Sequence, residues 1–448
     1  MEYLESINDF INGIVWGVPM LVLILAVGIF FTVRLDFLQF RFFGRMLRKT
    51  AGRVRENGED GASGEVSSFQ AAMTSVSAIV GSGNIAGVAT ALVCGGPGAL
   101  FWMIVAALIG MATKFAEICL GMLWRRQSPD GSMQGGAMYY LADGLGKKWL
   151  GVLFSFLVIP FAFVISAVVD TNTIATAVNE QFGVSPMVVG FVLAVVCALV
   201  IFGGSKRVGR ACELVAPFMG GAYILAGLLV IFLNLPQLPA ALVQIVEGAF
   251  APRAVTGGAV GSVFICMRYG IARGVYSNEA GLGTAAMVHS GAKVSHPAEQ
   301  AIWGPVEVFF DTIIVCSITA LTIVMSGLWA DGRFDGAALT MRAFEKMLPG
   351  QFGLYICLGS VILFGFSCLI SYYVYAERAA VYIFGERCRP VVKILWIVFI
   401  LVGSVTTLGF AWDLADTFNG LMIIPNLIGI VLLSGQVVSA WNEYRDKL

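Results

Sequence analysis

The sequence predicts an all-α polytopic membrane protein: eleven transmembrane helices, one N-terminal helix followed by a five-plus-five inverted repeat with two broken helices. Three observations carry that prediction. The 448 residues are 58% hydrophobic and only 12% charged, where a soluble domain is about 45–50% apolar and about 25% charged. Apolar stretches long enough to cross a bilayer, roughly 20 residues, recur from end to end. Two of them are interrupted by glycine and polar residues, and each interrupted stretch opens a unit of five spans.

The expected spans run approximately over 11–33, 68–93, 97–123, 149–179, 186–203, 208–233, 257–289, 301–328, 353–378, 391–411 and 414–438. They read as helices because an open sheet edge cannot satisfy its backbone in lipid. The first is expected to stay as a helix, because "MEYLESINDF" is acidic, whereas a secretory signal starts basic. The chain forms a single transporter domain: residues 1–66 hold the first helix and a basic loop, 67–234 the first repeat and 257–440 the second. Five is odd, so the second unit re-enters from the opposite side and is inverted relative to the first.

Lys and Arg set the orientation. With the N-terminus outside, 21 of the 28 basic residues fall in inside segments, among them Arg34, Arg41, Arg45, Arg55, Arg125, Lys206 and Arg378. Only Arg253, Arg333, Arg342 and Lys346 fall outside, while Lys114, Arg268 and Arg273 lie within spans. The C-terminus is therefore expected in the cytoplasm. A net charge of zero suggests no nucleic-acid partner. Nine cysteines, none in a C-x-x-C, read as packing residues, and two histidines, His289 and His296, are too few for a multi-histidine metal site.

The second span contains "GSGNIAG", Gly81 to Gly87. A nucleotide loop is ruled out by context, since no strand precedes it and no acid follows at the required distance. A close-packing face is compatible with Gly83 and Gly87, four apart. A broken helix is the third reading. The first half would end near Ile79–Val80 and turn its last carbonyls, with their partial negative charge, toward a cation. The second half would start near Asn84 and offer the N–H groups of Ser82 to Ile85 to a carboxylate. The seventh span carries the matching interruption, "SNEAGLG", with Ser277, Asn278 and Glu279 beside Gly281 and Gly283. Ser277 and Asn278 are ligand or ion candidates, and Arg268 and Arg273 upstream are expected to neutralise carboxylates elsewhere.

Other ionisable residues sit at membrane depth. Lys114 and Glu117, three apart, are expected to pair locally. Glu307 and Asp311, four apart, would repel if both were charged, so one is protonated or each faces a different cation. Asp170, in "VVDTNTIA", is an acid in the middle of an apolar span and a site candidate for that reason. Ser367, Cys368 and Ser371 lie in "FGFSCLIS" on the ninth span, where hydroxyls often bond back to their own helix. No G-x-S-x-G or H-E-x-x-H occurs, so the chain is not expected to be an enzyme.

The blocks "VGSGNIAGVATAL", "GGPGALFWM", "TKFAE", "GGAMYY", "RYGIARGVYSNEAGLGTA", "HPAEQ" and "FFDTIIVCSITALTIVMSG" together resemble the alanine or glycine:cation symporter family, over nearly the whole chain. The resemblance implies the inverted-repeat fold of the amino acid–polyamine–cation superfamily. It also implies sodium-coupled uptake of small neutral amino acids, alanine or glycine, by alternating access in a prokaryotic inner membrane. Sodium is then the coupling ion, with no enzymatic cofactor, and the transporter is expected to be a monomer. More distantly, VGSGN is similar to the unwound first core helix of sodium-coupled leucine transporters. On that similarity the substrate contacts are Ser82, Gly83, Asn84, Asp170, Thr171, Gly274, Ser277 and Asn278. The sodium contacts are Ser77, Val80, Asn84, Ser367 and Cys368. This chain departs from the pattern at Cys368, where a second hydroxyl is usual, and at Asp170, where family members have glutamine. The alternative is a proton-coupled permease with Asp170, Glu279 or Asp311 as carrier.

Overall fold

The computed structural model describes residues 2–53, 63–128, 132–250, 263–406 and 409–448. The start of the seventh expected span, 257–262, lies outside the described residues, as do Arg55 and Arg253. The chain is almost entirely helical. Its one described sheet is a two-residue hairpin, Arg126–Gln127 antiparallel to Met133–Gln134.

Among the described residues, seven helices are long and apolar enough to cross a membrane, or nine if each of two bent pairs is one span. The seven are Ala99–Leu123, Lys148–Phe182, Gly204–Leu233, Pro297–Ser326, Phe352–Phe384, Glu386–Val405 and Ala411–Leu432. The bent pairs are Glu5–Val15 with Val18–Arg34, at 41°, and Ser68–Ile79 with Gly83–Gly95, at 45°. Pro186–Ile201 is a shorter apolar helix of 16 residues. Each expected span within the described residues has a helix beneath it. The first differs most: it is two helices, parted where Gly17 precedes Pro19. Pro pre-sets the first turn of a helix and cannot donate within one, so a new helix begins there.

Among the described residues, three further helices of ten or more residues were not expected as elements: Phe43–Gly52, Leu238–Phe250 and Gly336–Met347. They are too short or too amphipathic to register as spans. Phe43–Gly52 buries Met46 and Thr50 and turns Arg45 and Arg48 outward.

The outer helices carry an apolar face to the surroundings. Phe191 and Leu199, then Leu214, Phe218, Leu225 and Phe232, are all exposed, which suits lipid and not water. The inner helices meet through small residues. A Cβ on Gly98 would lie 2.2 Å from the backbone of Gly248, so that approach requires glycine. At the centre are the helices that contain the interruptions. The described residues include four π-helical segments, Gly83–Gly87, Tyr140–Gly144, Phe163–Asp170 and Phe309–Cys316. Such wider turns free backbone groups from the regular ladder and cluster at functional sites.

Candidate functional site at the helix breaks

Ser68–Ile79 begins with a capping box: Ser67 accepts from the Gln70 N–H, and Gln70 accepts from the Ser67 N–H. The helix ends at Val80, which leaves helical geometry with φ −83° and ψ 87°. Gly81 follows and lets the Cys368 thiol pack against the break: a Cβ there would stand 2.2 Å from Cys368 Sγ. The π-helical Gly83–Gly87 then restarts the chain. Asn84 is fully buried and ties the break together. Its Oδ1 accepts from the Gly81 N–H at 2.8 Å, and its Nδ2 donates to Asp311 Oδ1 at 2.6 Å. Asn84 thus holds the Gly81 amide, one residue before the Ser82 to Ile85 N–H groups that the broken-helix reading offers to a carboxylate. The Ser82 hydroxyl donates to Asp170, which is fully buried at the end of the π-helical Phe163–Asp170.

Ser82, Gly83 and Asp170 line a closed slot with Ile79, Tyr276 and Cys368. Its volume is about 10 Å³, space for about one water. A ligand larger than a water enters only if these walls part.

Beside the slot, Phe352–Phe384 docks on the end of Ser68–Ile79. The Ser367 hydroxyl donates to the Ser77 carbonyl at 3.1 Å and to Phe364 at 2.8 Å, and the Cys368 thiol donates to the Ala78 carbonyl at 3.2 Å. The carbonyls at this helix end carry partial negative charge, and the Ser77 hydroxyl is buried with no hydrogen-bond partner among the described residues. Ser77, Val80 and Ser367 supply oxygens suited to a hard cation. Cys368 is the one soft donor in the set.

The seventh-span interruption is present as well. Val263–Asn278 ends at Asn278, and Glu279 takes φ 57°, Gly281 φ 104° and Gly283 φ 79°. A left-handed glutamate is uncommon, and here its side chain is held by Tyr372, by Tyr375 at 3.3 Å and by Thr284 at 2.6 Å. Lys114 does not pair with Glu117. Its Nζ lies 2.8 Å from the Asn278 carbonyl and 3.3 Å from Glu307 Oε2, so a fixed cation stands at this helix C-terminus. Glu117 instead accepts from Asn426 and from the Gly283 N–H at 3.0 Å.

The remaining expected contacts are spread more widely. Ser277 donates to Asp311 at 2.9 and 3.1 Å. Asn278 donates to Thr312 at 2.9 Å and accepts from the Ala280 N–H at 3.0 Å. Neither faces the slot. Gly274 packs on Met103, and Thr171 is fully buried with no hydrogen-bond partner for its hydroxyl among the described residues; neither lines the slot.

Polar contacts and two cavities flank the slot. On one side Arg273 makes a bidentate pair with Asp416 at 2.7 and 2.8 Å, its guanidinium 5.5 Å from the Tyr276 ring and 5.8 Å from the Trp412 ring. Above that pair opens a cavity of about 430 Å³ lined by Thr90, Glu180, Asp335 and Asp413. At the opposite end a polar cavity of about 380 Å³ lies over Glu65, Glu377, Arg378 and Arg389. There Glu65 accepts from the Met133 N–H and the Ser205 hydroxyl, both at 2.7 Å, and Arg378 donates to Ser290 at 2.8 Å. The expected role of Arg273 as a partner for a distant carboxylate is met by Asp416; Arg268 lies over the Tyr269 ring at 5.9 Å. Asp416, Tyr276 and Tyr372 were missed from the sequence. Only Asp416 gave a signal, as an acid inside the last apolar stretch.

Comparison with known proteins bears on this arrangement. The sodium:alanine symporter family profile matches residues 1–448. The sodium/alanine symporter AgcS of Methanococcus maripaludis is 42% identical over 455 residues, covering 99% of this chain and 98% of that protein. The probable sodium/glutamine symporter GlnT of Bacillus subtilis is 36% identical over 445 residues, 99% of this chain and 91% of that protein. Among solved structures, MhsT in complex with L-phenylalanine superposes with a TM-score of 0.55 at 16% identity, over 85% of this chain and 96% of that one. A Na+-coupled sialic acid symporter in a substrate-bound outward-open state gives 0.55 at 14% identity, over 94% and 86%. These two share the fold. By its sequence from end to end, the chain belongs to the sodium:alanine symporter family, whose members are membrane transporters and not enzymes.

Proposed function

We propose that this transporter carries small neutral amino acids, alanine and glycine, into the cell together with sodium by alternating access. The observation that carries the reading is the break at Gly81–Gly87, closed by Asp170 on one side and by Ser367 and Cys368 on the other. Sodium binds first, at the Ser77 and Val80 carbonyls with Ser367, and orders the end of Ser68–Ile79. The amino acid enters next. Its carboxylate meets the backbone of Ser82 and Gly83, its ammonium meets Asp170, and Asn84, Thr171, Gly274, Ser277 and Asn278 hold the surrounding shell. The sodium/alanine assignment of a relative at 42% identity supports this choice.

The architecture that goes with it is eleven helices in an inverted repeat, 67–234 against 257–440, preceded by 1–66. The protein sits as a monomer in the inner membrane with its N-terminus outside. The Arg273–Asp416 pair then closes the outer path, and the contacts of Glu65 and Arg378 close the inner one. Coupling requires that sodium raise the affinity for the amino acid and the reverse, by the same factor.

Asp170 favours a second reading, a proton-coupled permease, because it is a buried acid that accepts a hydrogen bond from the Ser82 hydroxyl and, among the described residues, makes no ion pair. Competition uptake with a panel of unlabelled amino acids, with and without sodium at fixed pH, separates the two. Alanine and glycine should compete, and only with sodium present. Asp170→Asn is expected to raise the KM for alanine about tenfold, the loss of about 1.4 kcal/mol of charge-assisted contact with the ammonium, with a smaller change in kcat. An unchanged KM and an unchanged substrate order would make Asp170 structural.

A further inference from the structure

We propose that the crevice between Phe43–Gly52, Ser68–Ile79, Gly204–Leu233 and Pro297–Ser326 binds one anionic phospholipid, with an acyl chain in the crevice and the headgroup phosphate held by Arg48 and Arg210 at its rim. The crevice encloses about 550 Å³, and no residue lines both it and the slot.

Its walls are hydrocarbon. Phe69, Met73, Val76 and Val80 form one stripe at helical spacing, and Trp303, Val306 and Phe310 form another. The polar residues that border the crevice are turned to partners elsewhere. Glu213 accepts from Gln70 at 2.9 Å, Glu307 accepts from Ser75 at 2.8 Å and lies 3.3 Å from Lys114 Nζ, and the Thr50 hydroxyl donates back to the Met46 carbonyl at 3.0 Å. From Phe69 to Val80 the crevice follows the helix for about 16 Å, at 1.5 Å per residue. That is about half of the roughly 30 Å hydrocarbon core, the depth of one leaflet, which an acyl chain entering from the surface spans.

The surface end of the crevice is cationic. Phe43–Gly52 is amphipathic: Leu47, Thr50 and Ala51 face the crevice, while Arg45, Arg48 and Lys49 line a second cavity of about 260 Å³ on its other side. A short helix of this kind lies in the membrane interface, with its apolar face down. Arg48 is exposed and stands three residues before Ala51, so the two are neighbours at the edge of that helix. From the facing wall, Arg210 is exposed and lies three residues before Glu213 and seven before Pro217, both of which border the crevice. Its spacing puts it on the crevice side of Gly204–Leu233, at the same end as Phe69. Among the described residues, no ion pair engages Arg48 or Arg210. Arg53 is already paired with Glu299, and Arg45 lies over the Phe42 ring at 4.6 Å.

Cations over an apolar groove of single-leaflet depth match the two halves of an anionic phospholipid. In the orientation proposed above, this is the cytoplasmic leaflet. The chain would rest on Met73, Val76 and Val80, the outer face of the half-helix that ends at the break, so the lipid supports that half-helix from the side away from the slot.

Native mass spectrometry of the purified, delipidated full-length protein, titrated with phosphatidylglycerol and separately with phosphatidylethanolamine, tests the site. Wild type should bind one phosphatidylglycerol about tenfold or more tighter than phosphatidylethanolamine, each basic residue contributing about fivefold, and added salt should narrow the difference. Arg48→Gln combined with Arg210→Gln should abolish the preference. Gly220→Leu fills the crevice from its wall, where a Cβ meets nothing within 4 Å, and should weaken both lipids while the charges stay in place. Glycerol phosphate, which has the anion and no chain, should not compete. Equal affinity for the two lipids in wild type overturns the proposal, as does a preference that survives the double arginine variant, or phosphatidylglycerol binding that a folded Gly220→Leu protein retains in full. A dimer that forms on delipidation and is broken by Gly220→Leu also overturns it, by putting a second copy of the chain in the crevice. The titration needs neither sodium nor alanine, so failure of the transport reading leaves its result standing.

Discussion

Replacing Asn84 with alanine should reduce sodium-driven alanine uptake about 100-fold, with the protein still inserted and folded. Asn84 holds two buried polar groups at once, the Gly81 N–H at 2.8 Å and Asp311 at 2.6 Å. Each such bond, when broken with its partner left buried, costs about 1–3 kcal/mol. Together they reach the roughly 2.7 kcal/mol that corresponds to about 100-fold. The cost falls on function and not on folding, because the residues around Asn84 are supported independently: Ser68–Ile79 by its capping box, and Val88–Gly95 by its own helical turns. Asn84→Asp is the informative companion. It keeps the acceptor for Gly81 but sets a second carboxylate against Asp311, so it should be as poor as the alanine variant. Uptake assays on proteoliposomes with matched protein content measure both, and an active Asn84→Ala transporter would remove Asn84 from the site.

Lys114→Met should act on stability instead. Lys114 is fully buried and joins Ala99–Leu123 to two other elements, through Glu307 at 3.3 Å and the Asn278 carbonyl at 2.8 Å. Without it Glu307 is left with His289 and with Ser75 at 2.8 Å. Removing one partner of a buried pair costs about 3–5 kcal/mol, more than the pair itself contributes, because the other charge stays buried. The expected result is a marked fall in the thermal midpoint in detergent, and poor yield. Lys114→Met combined with Glu307→Gln should recover part of the loss, since it removes the orphaned charge. A single variant as stable as wild type, or a double variant no better than the single, contradicts the pairing.

The contrast between these residues shows what a sequence of this kind discloses. The breaks were legible because the backbone itself requires special residues. Gly81 admits the close approach of Cys368, and Gly281 and Gly283 take φ values of 104° and 79°. The helix ends near Ile79 and Asn278 follow from those positions. Partners of buried charges were not legible, since they depend on which faces of distant helices meet. Lys114 and Glu117 are three apart, yet Lys114 turns to Glu307 while Glu117 turns to Asn426, which is 309 residues further along the chain. Arg273 and Asp416 are 143 residues apart, and no spacing links them. The π-helical turns that bring Asp170 and Asp311 inward also leave no mark in a 3.6-residue pattern. Short helices such as Gly336–Met347 escaped for the opposite reason: their apolar face is too narrow to read as a span.

Concentrative uptake tests the central claim most directly. Purified protein in sealed proteoliposomes is given radiolabelled L-alanine under an inward sodium gradient, under equal sodium on both sides, and with sodium replaced by choline at the same pH. Coupled symport predicts accumulation above the external concentration in the first case alone, equilibration without accumulation in the second, and no uptake above protein-free vesicles in the third. Accumulation that persists in choline would contradict sodium coupling.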